Sequence, residues 1–347
     1  MSNLYNHLSK EELELLRNNE GVYRQTVSFY RYVRIEEIEK FRADLYRFWF
    51  KNGVVGRVYV AHEGINAQIS VPIENWDKFI DHLSSVEELK NMPLKIALEE
   101  KGTSFLKLIV RIKEKIVADG LDDHEIDLNN MGRHLDPLEF DEMLEDPEAV
   151  VVDVRNHYES EVGHFDGAIC PDVDTFKESL PIIRDMLEDH KDKPVLMYCT
   201  GGIRCEKASA YLKANGFNNV NQLHGGIINY AHEIEKAGKS SKFIGKNFVF
   251  DDRLGERITE DVISNCHTCG EKCDEHTNCK NDDCHLLFIQ CKSCSEKLDG
   301  CCSVECQEIA ALPLEEQKKL RKDKELREGR PTHKSRLRPK PNKLSAQ

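Results

Sequence analysis

One stretch, residues 195–212, restricts the fold of this chain more than any other. Four apolar residues, Val195, Leu196, Met197 and Tyr198, run into Cys199-Thr200-Gly201-Gly202-Ile203-Arg204 and then into a helix-forming segment. A buried strand that ends on a glycine turn and continues as a helix belongs to a largely parallel sheet. In such sheets reactive groups gather at the carboxyl ends of the strands, where Cys199 stands. The N–H groups of a glycine loop, helped by the positive end of the next helix, stabilise a thiolate. Arg204 adds a permanent cation, so Cys199 has two reasons for a depressed pKa and qualifies as a nucleophile at neutral pH. A structural cysteine would sit in apolar surroundings and need neither the paired glycines nor the arginine.

The rest of residues 136–238 alternates in the same way. Asp136-Pro137-x-Glu139 is a helix start, with an N-cap acceptor, proline at the first helical position and a carboxylate at the third. Short apolar runs at 150–154, 195–198 and 220–223 are expected as strands, separated by helical patterns. The N-terminal part has another rhythm. Residues 25–33 read as a strand, followed by Ile35, Ile38, Phe41, Leu45 and Phe48 at helical spacing. Strands at 54–60 and 65–71 flank the turn Ala61-His62-Glu63-Gly64, and Trp76, Phe79, Ile80 and Leu83 form a second amphipathic helix before strands near 94–98 and 106–112. The order βαββαβ describes a ferredoxin-like α+β domain. His62 and Glu63 are read as a polar turn rather than a catalytic pair. Tyr30, Tyr32, Tyr46 and Trp49 could stack on bases but are read mainly as packing. Residues 119–133 lack an apolar period and are read as the linker, which gives an N-terminal segment 1–18, domains 19–118 and 134–240, a Cys-rich region 241–312 and a tail 313–347.

Ten of the thirteen cysteines fall between Cys266 and Cys306. Residues 1–18 are charged and polar, without a secretory apolar core, so a reducing, cytoplasmic setting is expected and metal explains the cysteines better than disulfides. Two zinc sites are expected, one from Cys266, Cys269, Cys291 and Cys294, the other from Cys279, Cys284, Cys302 and Cys306. Thiolates alone can fill every coordination position, so such zinc is structural rather than catalytic.

From Lys318 onward twelve Lys and Arg face three Asp and Glu, although the whole chain carries a formal charge of −13. A basic, proline-punctuated end on an acidic protein suits a polyanion, and Lys334, Arg336, Arg338 and Lys340 are candidate RNA contacts. No apolar run is long enough to span a bilayer, and neither a membrane nor DNA is expected as a partner. No G-x-G-x-x-G follows a strand, so no flavin or nicotinamide fingerprint is present.

Only four residues separate Cys199 from Arg204, one fewer than in the tyrosine phosphatase loop, which suits a single sulfur better than a tetrahedral anion. The loop resembles that of a rhodanese. So do Asp153-x-Arg155 after an apolar strand, Gly163-His164-Phe165-Asp166-Gly167-Ala168, and Leu223-His224-Gly225-Gly226-Ile227, with Tyr230 where many rhodaneses have Trp. The domain order, with Glu63-Gly64-Ile65-Asn66-Ala67, the extension Cys205-Glu206-Lys207-Ala208 and Thr277-Asn278-Cys279, is similar to the rhodanese-type tRNA uridine hydroxylase family. That resemblance implies a persulfide-forming Cys199, molecular oxygen as co-substrate, tRNA as partner, and oxygen-dependent 5-hydroxyuridine formation at the wobble position.

Within that reading Cys199 is the nucleophile. Arg204 and the amides of Gly201 and Gly202, in the loop with Thr200 and Ile203, form the anion cradle, supported by Asp153 and Arg155. Cys205 is either a resolving thiol or packing at the start of the helix. Two other functions stay open, a sulfurtransferase that passes persulfide sulfur to an acceptor and a non-catalytic RNA- or protein-binding module. A sulfur or electron donor is a further partner that the chemistry requires.

Overall fold

The computed structural model describes residues 8–19, 21–100, 104–122 and 124–328. Lys334, Arg336, Arg338 and Lys340, the candidate RNA contacts of the tail, lie outside the described residues. After helix α1 (Lys10–Asn19), the N-terminal domain runs β1 (Arg24–Tyr32), α2 (Ile38–Lys51), β2 (Val55–Ala61), β3 (Gly64–Pro72), α3 (Trp76–Ser85), β4 (Lys95–Ile96) and β5 (Leu108–Ile112). The sheet order is β4-β1-β3-β2-β5. Its first four members are the ferredoxin-like arrangement expected from the pattern, with β4 reduced to two residues, and β5 is added parallel to β2 at the far edge. Strand alternation sets the two faces. Val27, Phe29, Val58, Val60, Ile65, Ala67 and Ile69 point to one side and pack with Trp49 and Phe79 of the two helices. Trp49 and Phe79 are fully buried, so truncating either to Ala costs about 3–5 kcal/mol. The other face carries Ser28, Tyr30, Arg57, Tyr59, Asn66 and Gln68 and turns toward the next domain.

That domain is a four-stranded parallel sheet in the order β6-β10-β9-β7, from β6 (Arg133–Leu135), β7 (Val150–Asp153), β9 (Val195–Tyr198) and β10 (Val220–Leu223). Helices α4 (Pro137–Met143), α5 (His157–Ser160), α6 (Phe176–Met186), α7 (Ile203–Ala214) and α8 (Gly226–Lys236) cover it. Asp136 caps α4 as its sequence predicts, accepting from the N–H groups of Leu138 and Glu139 at 3.0 and 2.9 Å. All four residues of β9 are buried, as a central parallel strand requires.

Pairing and packing cross two of the boundaries drawn from the sequence. Strand β8 (Gly163–Phe165) pairs with β11 (Phe243–Asn247), which pairs with β12 (Glu256–Arg257), so the cut at residue 240 passes through one antiparallel ribbon. The segment read as a linker is packed. Asp119 is buried, and Val117, Leu121 and Ile126 lie against the core around β9 and α7. The remainder forms the hairpin β13 (His276–Asn278) and β14 (Leu287–Ile289), then α9 (Lys292–Lys297), α10 (Val304–Ala310) and α11 (Leu314–Glu328). Among the described residues no helix is long and apolar enough to cross a membrane.

Candidate active site

Cys199 leaves the carboxyl end of β9 fully buried, and the N–H of Gly202 donates to its Sγ at 3.1 Å. Gly202 starts α7 with φ of 99°, and a Cβ there would come to 2.8 Å from Tyr30 Oη. Glycine therefore serves both the turn and the close approach of Tyr30. From below, the N–H groups of Ile227 and Ile228 in α8 donate to the carbonyls of Cys199 and Thr200 at 3.0 and 3.3 Å. Gly226 makes this possible, because a Cβ on it would meet the Cys199 carbonyl at 2.5 Å.

Burial alone would push the Cys199 thiol up. The Cys205 thiol, the Arg204 charge and the N–H groups of Arg204 and Gly202 outweigh burial, and Cys199 is pushed down to about 5. Burial and the adjoining Cys199 push Cys205 well above the usual thiol range. At neutral pH one sulfur is an anion and its neighbour keeps a proton to donate.

The amides aimed at the sulfur are those of Gly202 and Arg204, where the sequence suggested Gly201 and Gly202. The Arg204 guanidinium does not lie free over the loop. It is locked on Glu159, Nη1 and Nη2 donating to the two carboxylate oxygens at 2.6 and 2.8 Å, with both side chains buried. Thr200 Oγ1 joins the pair at 3.4 Å, and the ring of Phe250 lies 5.7 Å from the guanidinium carbon. Glu159 was not singled out in the sequence because it also closes the N-terminal box of α5, accepting from the Asn156 N–H at 3.1 Å, and reads as an ordinary helix start. Ile203 uses its carbonyl to accept from Tyr32 Oη at 3.3 Å.

Asp153 and Arg155 form a fully buried pair behind the loop. Arg155 Nε and Nη2 donate to the Asp153 carboxylate at 2.9 and 2.6 Å, and Nη2 reaches the Gly163 carbonyl at 2.6 Å. This ties β7 to β8; neither residue lines the cleft above Cys199.

Helix α7 is buried almost throughout although it is rich in charge, because its buried charges Arg204, Glu206 and Lys207 each have a partner. Glu206 accepts from Tyr30 Oη at 2.8 Å, from Gln222 at 3.0 Å and from His134 at 3.1 Å. Burial opposes its ionisation, but these bonds, His134 foremost, hold it below the usual carboxylate range. Lys207 reaches Glu63 of the first domain at 2.6 Å and Asp119 at 2.8 Å. Glu63 stands on a polar turn and also accepts from the Ile116 N–H at 2.8 Å, so it is a domain clasp. Tyr46 and Trp49 are core, whereas Tyr30 and Tyr32 face the reactive loop.

Lys95, on the edge strand β4, carries no local signal that would mark it as a site residue. Its Nζ lies 4.5 Å from the Tyr30 ring centroid, and its side chain passes 3.5 Å from the place of a Cβ on Gly201. His232 of α8 anchors the strand through the Ile96 carbonyl at 2.9 Å. Burial pushes Lys95 down to about 8, against the pull of Cys199 and Glu206, so it exchanges protons near neutral pH. A cleft of about 660 Å3 joins Cys199, Thr200, Gly201 and Arg204 to Lys95 and the outward face of the N-terminal sheet.

The cysteine-rich region brings together the two groups proposed from spacing. Cys266, Cys269, Cys291 and Cys294 have ligand atoms within 4.8 Å of one another, as do Cys279, Cys284, Cys302 and Cys306. The Cys269–Cys291 and Cys284–Cys302 sulfurs are 3.7 Å apart and Cys302–Cys306 3.6 Å. Four thiolates about 2.3 Å from a tetrahedral metal stand about 3.8 Å from each other, whereas a disulfide needs about 2.0 Å. The N–H groups of Cys291 and Cys302 donate to Cys266 and Cys279 at 3.3 and 3.4 Å, which favours thiolates. Both groups can hold a metal ion. Cys273 and Cys301 stay outside them, and His267 is engaged with Glu161 at 2.8 Å.

Comparison with known proteins matches three successive parts of the chain. Residues 24–116 match the UPF0176 acylphosphatase like domain, 136–233 the rhodanese-like domain and 244–307 the rhodanase C-terminal unit. A protein of Leptospira interrogans called tRNA uridine(34) hydroxylase is 55% identical over 341 residues, 98% of this chain and 93% of its own. Proteins of the same name from Escherichia fergusonii and Yersinia pestis are 52% and 53% identical over 323 residues, 93% of this chain and 92% and 91% of theirs.

Proposed function

The chain belongs to the tRNA uridine(34) hydroxylase family, and on that premise we propose that it converts the wobble uridine of tRNA to 5-hydroxyuridine with Cys199 as the nucleophile. The observation that carries this reading is a thiol pushed down to about 5, at the floor of a cleft of about 660 Å3, a volume that accepts a nucleotide base.

The Cys199 thiolate adds to C6 of uracil and makes C5 electron-rich. Dioxygen, the co-substrate, delivers one oxygen atom to C5; the C5 proton and the sulfur then leave, and the ring double bond returns. The second oxygen departs as water with two protons and two electrons. Closing the Cys199 thiolate and the Cys205 thiol to a disulfide supplies the two electrons and one proton, Lys95 gives the other proton, and an external thiol reopens the disulfide. Lys95 stands where a proton is taken or returned during these steps.

Zinc is the metal proposed for both four-cysteine groups. When bound it leaves no open position and serves the fold of the region. The basic tail, with Lys334, Arg336, Arg338 and Lys340, adds attraction for a polyanion such as tRNA.

Undermodified tRNA incubated with the protein and a thiol reductant under 18O2 tests the reading by nucleoside mass spectrometry. The parent should yield 5-hydroxyuridine with one heavy oxygen, and Cys199→Ala none. Thiosulfate-to-cyanide sulfur transfer with unchanged nucleosides would assign the protein to the sulfurtransferases instead. Full hydroxylation by Cys199→Ala would remove the nucleophile.

A further inference from the structure

The N-terminal sheet presents an ordered outward face beside Cys199 that the chemistry above leaves unused. Cross-strand register aligns its side chains in two rows. Tyr30, Asn66, Tyr59 and Arg111 are neighbours across β1, β3, β2 and β5, and Ser28, Gln68 and Arg57 form the parallel row. The first row begins at the reactive loop, where Tyr30 bonds Glu206, and ends on an exposed arginine. Strand spacing places Tyr59 about 10 Å outward from Tyr30. Tyr59 is half-buried with Lys113 Nζ 5.8 Å from its ring, and Arg57 and Lys113 are exposed.

The charge of this surface is opposite to that of the chain. Arg57, Lys95 and Lys113 line the cleft beside Lys115 and Arg204, which are paired with Asp119 and Glu159, and Asp174 is the one acidic lining residue among the described residues, in a protein of formal charge −13. Cations focused in one cleft of an acidic protein select a polyanion. Flat aromatic and amide side chains on a sheet select unpaired bases, which offer a π-face and free hydrogen-bonding edges.

Resting on the assignment of uridine chemistry to Cys199, we propose that this sheet face is a single-stranded RNA platform for the nucleotides flanking the reacting uridine. Tyr59 is its stacking plate, Asn66 and Gln68 meet base edges, and Arg57 and Lys113 meet phosphates. The platform explains why a reactive loop of this kind is covered by a second domain: the sheet holds the unpaired loop while one base reaches the sulfur.

The test uses full-length protein carrying Cys199→Ala, so that no turnover occurs, and a fluorescent anticodon stem-loop RNA with uridine at position 34. Anisotropy should show binding weakened about 5- to 150-fold by Tyr59→Ala, the usual effect of losing one stacked base. Tyr59→Phe should bind within about twofold of the parent, since the ring is kept. The Arg57→Ala/Lys113→Ala double variant should reduce the slope of log K against log salt by about 1.4, two single-strand phosphate contacts. A chain ending at residue 328 should keep its dependence on Tyr59.

Unchanged affinity in Tyr59→Ala with an unchanged salt slope in the double variant would overturn the platform. So would a Tyr59→Phe variant as weak as Tyr59→Ala, which would make the effect structural. Loss of binding on removal of the tail alone, with no effect of Tyr59, would assign the RNA contact to the tail. Sheet-dependent binding without any 5-hydroxyuridine from the unsubstituted protein would count against the chemistry and leave the platform standing.

Discussion

Glu159→Gln separates what the Glu159–Arg204 pair does for the fold from what it does for the sulfur. The two side chains are 0% and 8% exposed and share a bidentate contact at 2.6 and 2.8 Å. Gln keeps the shape of Glu and one carbonyl oxygen for the Asn156 N–H, so the cap of α5 survives. What is lost is the counter-charge of a buried guanidinium. Removing one partner of a buried ion pair costs about 3–5 kcal/mol, against about 0–1 kcal/mol for an exposed pair. Equilibrium urea denaturation followed by circular dichroism should register a loss of that size. The effect on Cys199 has the opposite sense. An Arg204 charge no longer balanced by a carboxylate attracts the thiolate more strongly, so the thiol, at about 5 in the parent, should titrate lower in the variant. Mass-resolved alkylation of Cys199 against pH reads this shift. A stability loss below about 1 kcal/mol together with an unmoved titration would refute the argument that the pair is a buried, charge-balancing lock.

Cys205→Ala removes a donor to the thiolate, worth about 1.5–3 kcal/mol for a charged acceptor, or about one to two pKa units. The Cys199 titration should therefore rise, and an unchanged curve would show that Cys205 is packing only. Purified protein should carry two zinc ions per chain by plasma mass spectrometry and Cys269→Ser one, with fast hydrogen exchange around the altered group; equal metal content would refute the ligand assignment. Cys199 also links stability to pH. Its folded pKa of about 5 lies below the ordinary thiol value of 9.0, so its contribution is complete above about 9 and is lost as pH falls toward about 5. The stability difference between the parent and Cys199→Ser should grow by about 1.4 kcal/mol per pH unit in that window, and a flat difference would contradict an ionised Cys199.

The parts of the molecule legible in the sequence are those written in local pattern. Cys199-Thr200-Gly201-Gly202 after an apolar strand marks a reactive loop, because strand, turn and helix lie within one short segment. The cysteine pairs were separable for the same reason, since each group takes its ligands as two close pairs. What stayed hidden depends on contacts between distant segments. Lys95 comes to the loop only because a two-residue edge strand pairs with β1 and is held by His232. Glu159 has two roles, and its role in the capping box masks its bond to Arg204. Asp119 reads as a linker carboxylate until Lys207 from α7 and Lys115 are seen to close on it. Strand β11 gives no local sign that its partner lies some eighty residues earlier.

The ionisation of Cys199 in the intact, unsubstituted protein is the most direct measurement. Alkylation with iodoacetamide across pH 4 to 10, quantified by mass spectrometry on the peptide that contains Cys199, should show a half-maximal rate near pH 5, the value its surroundings impose. A half-maximal rate near the ordinary thiol value of 9.0 would mean that the Gly202 and Arg204 amides do not hold a thiolate, and the nucleophile on which the account depends would be gone.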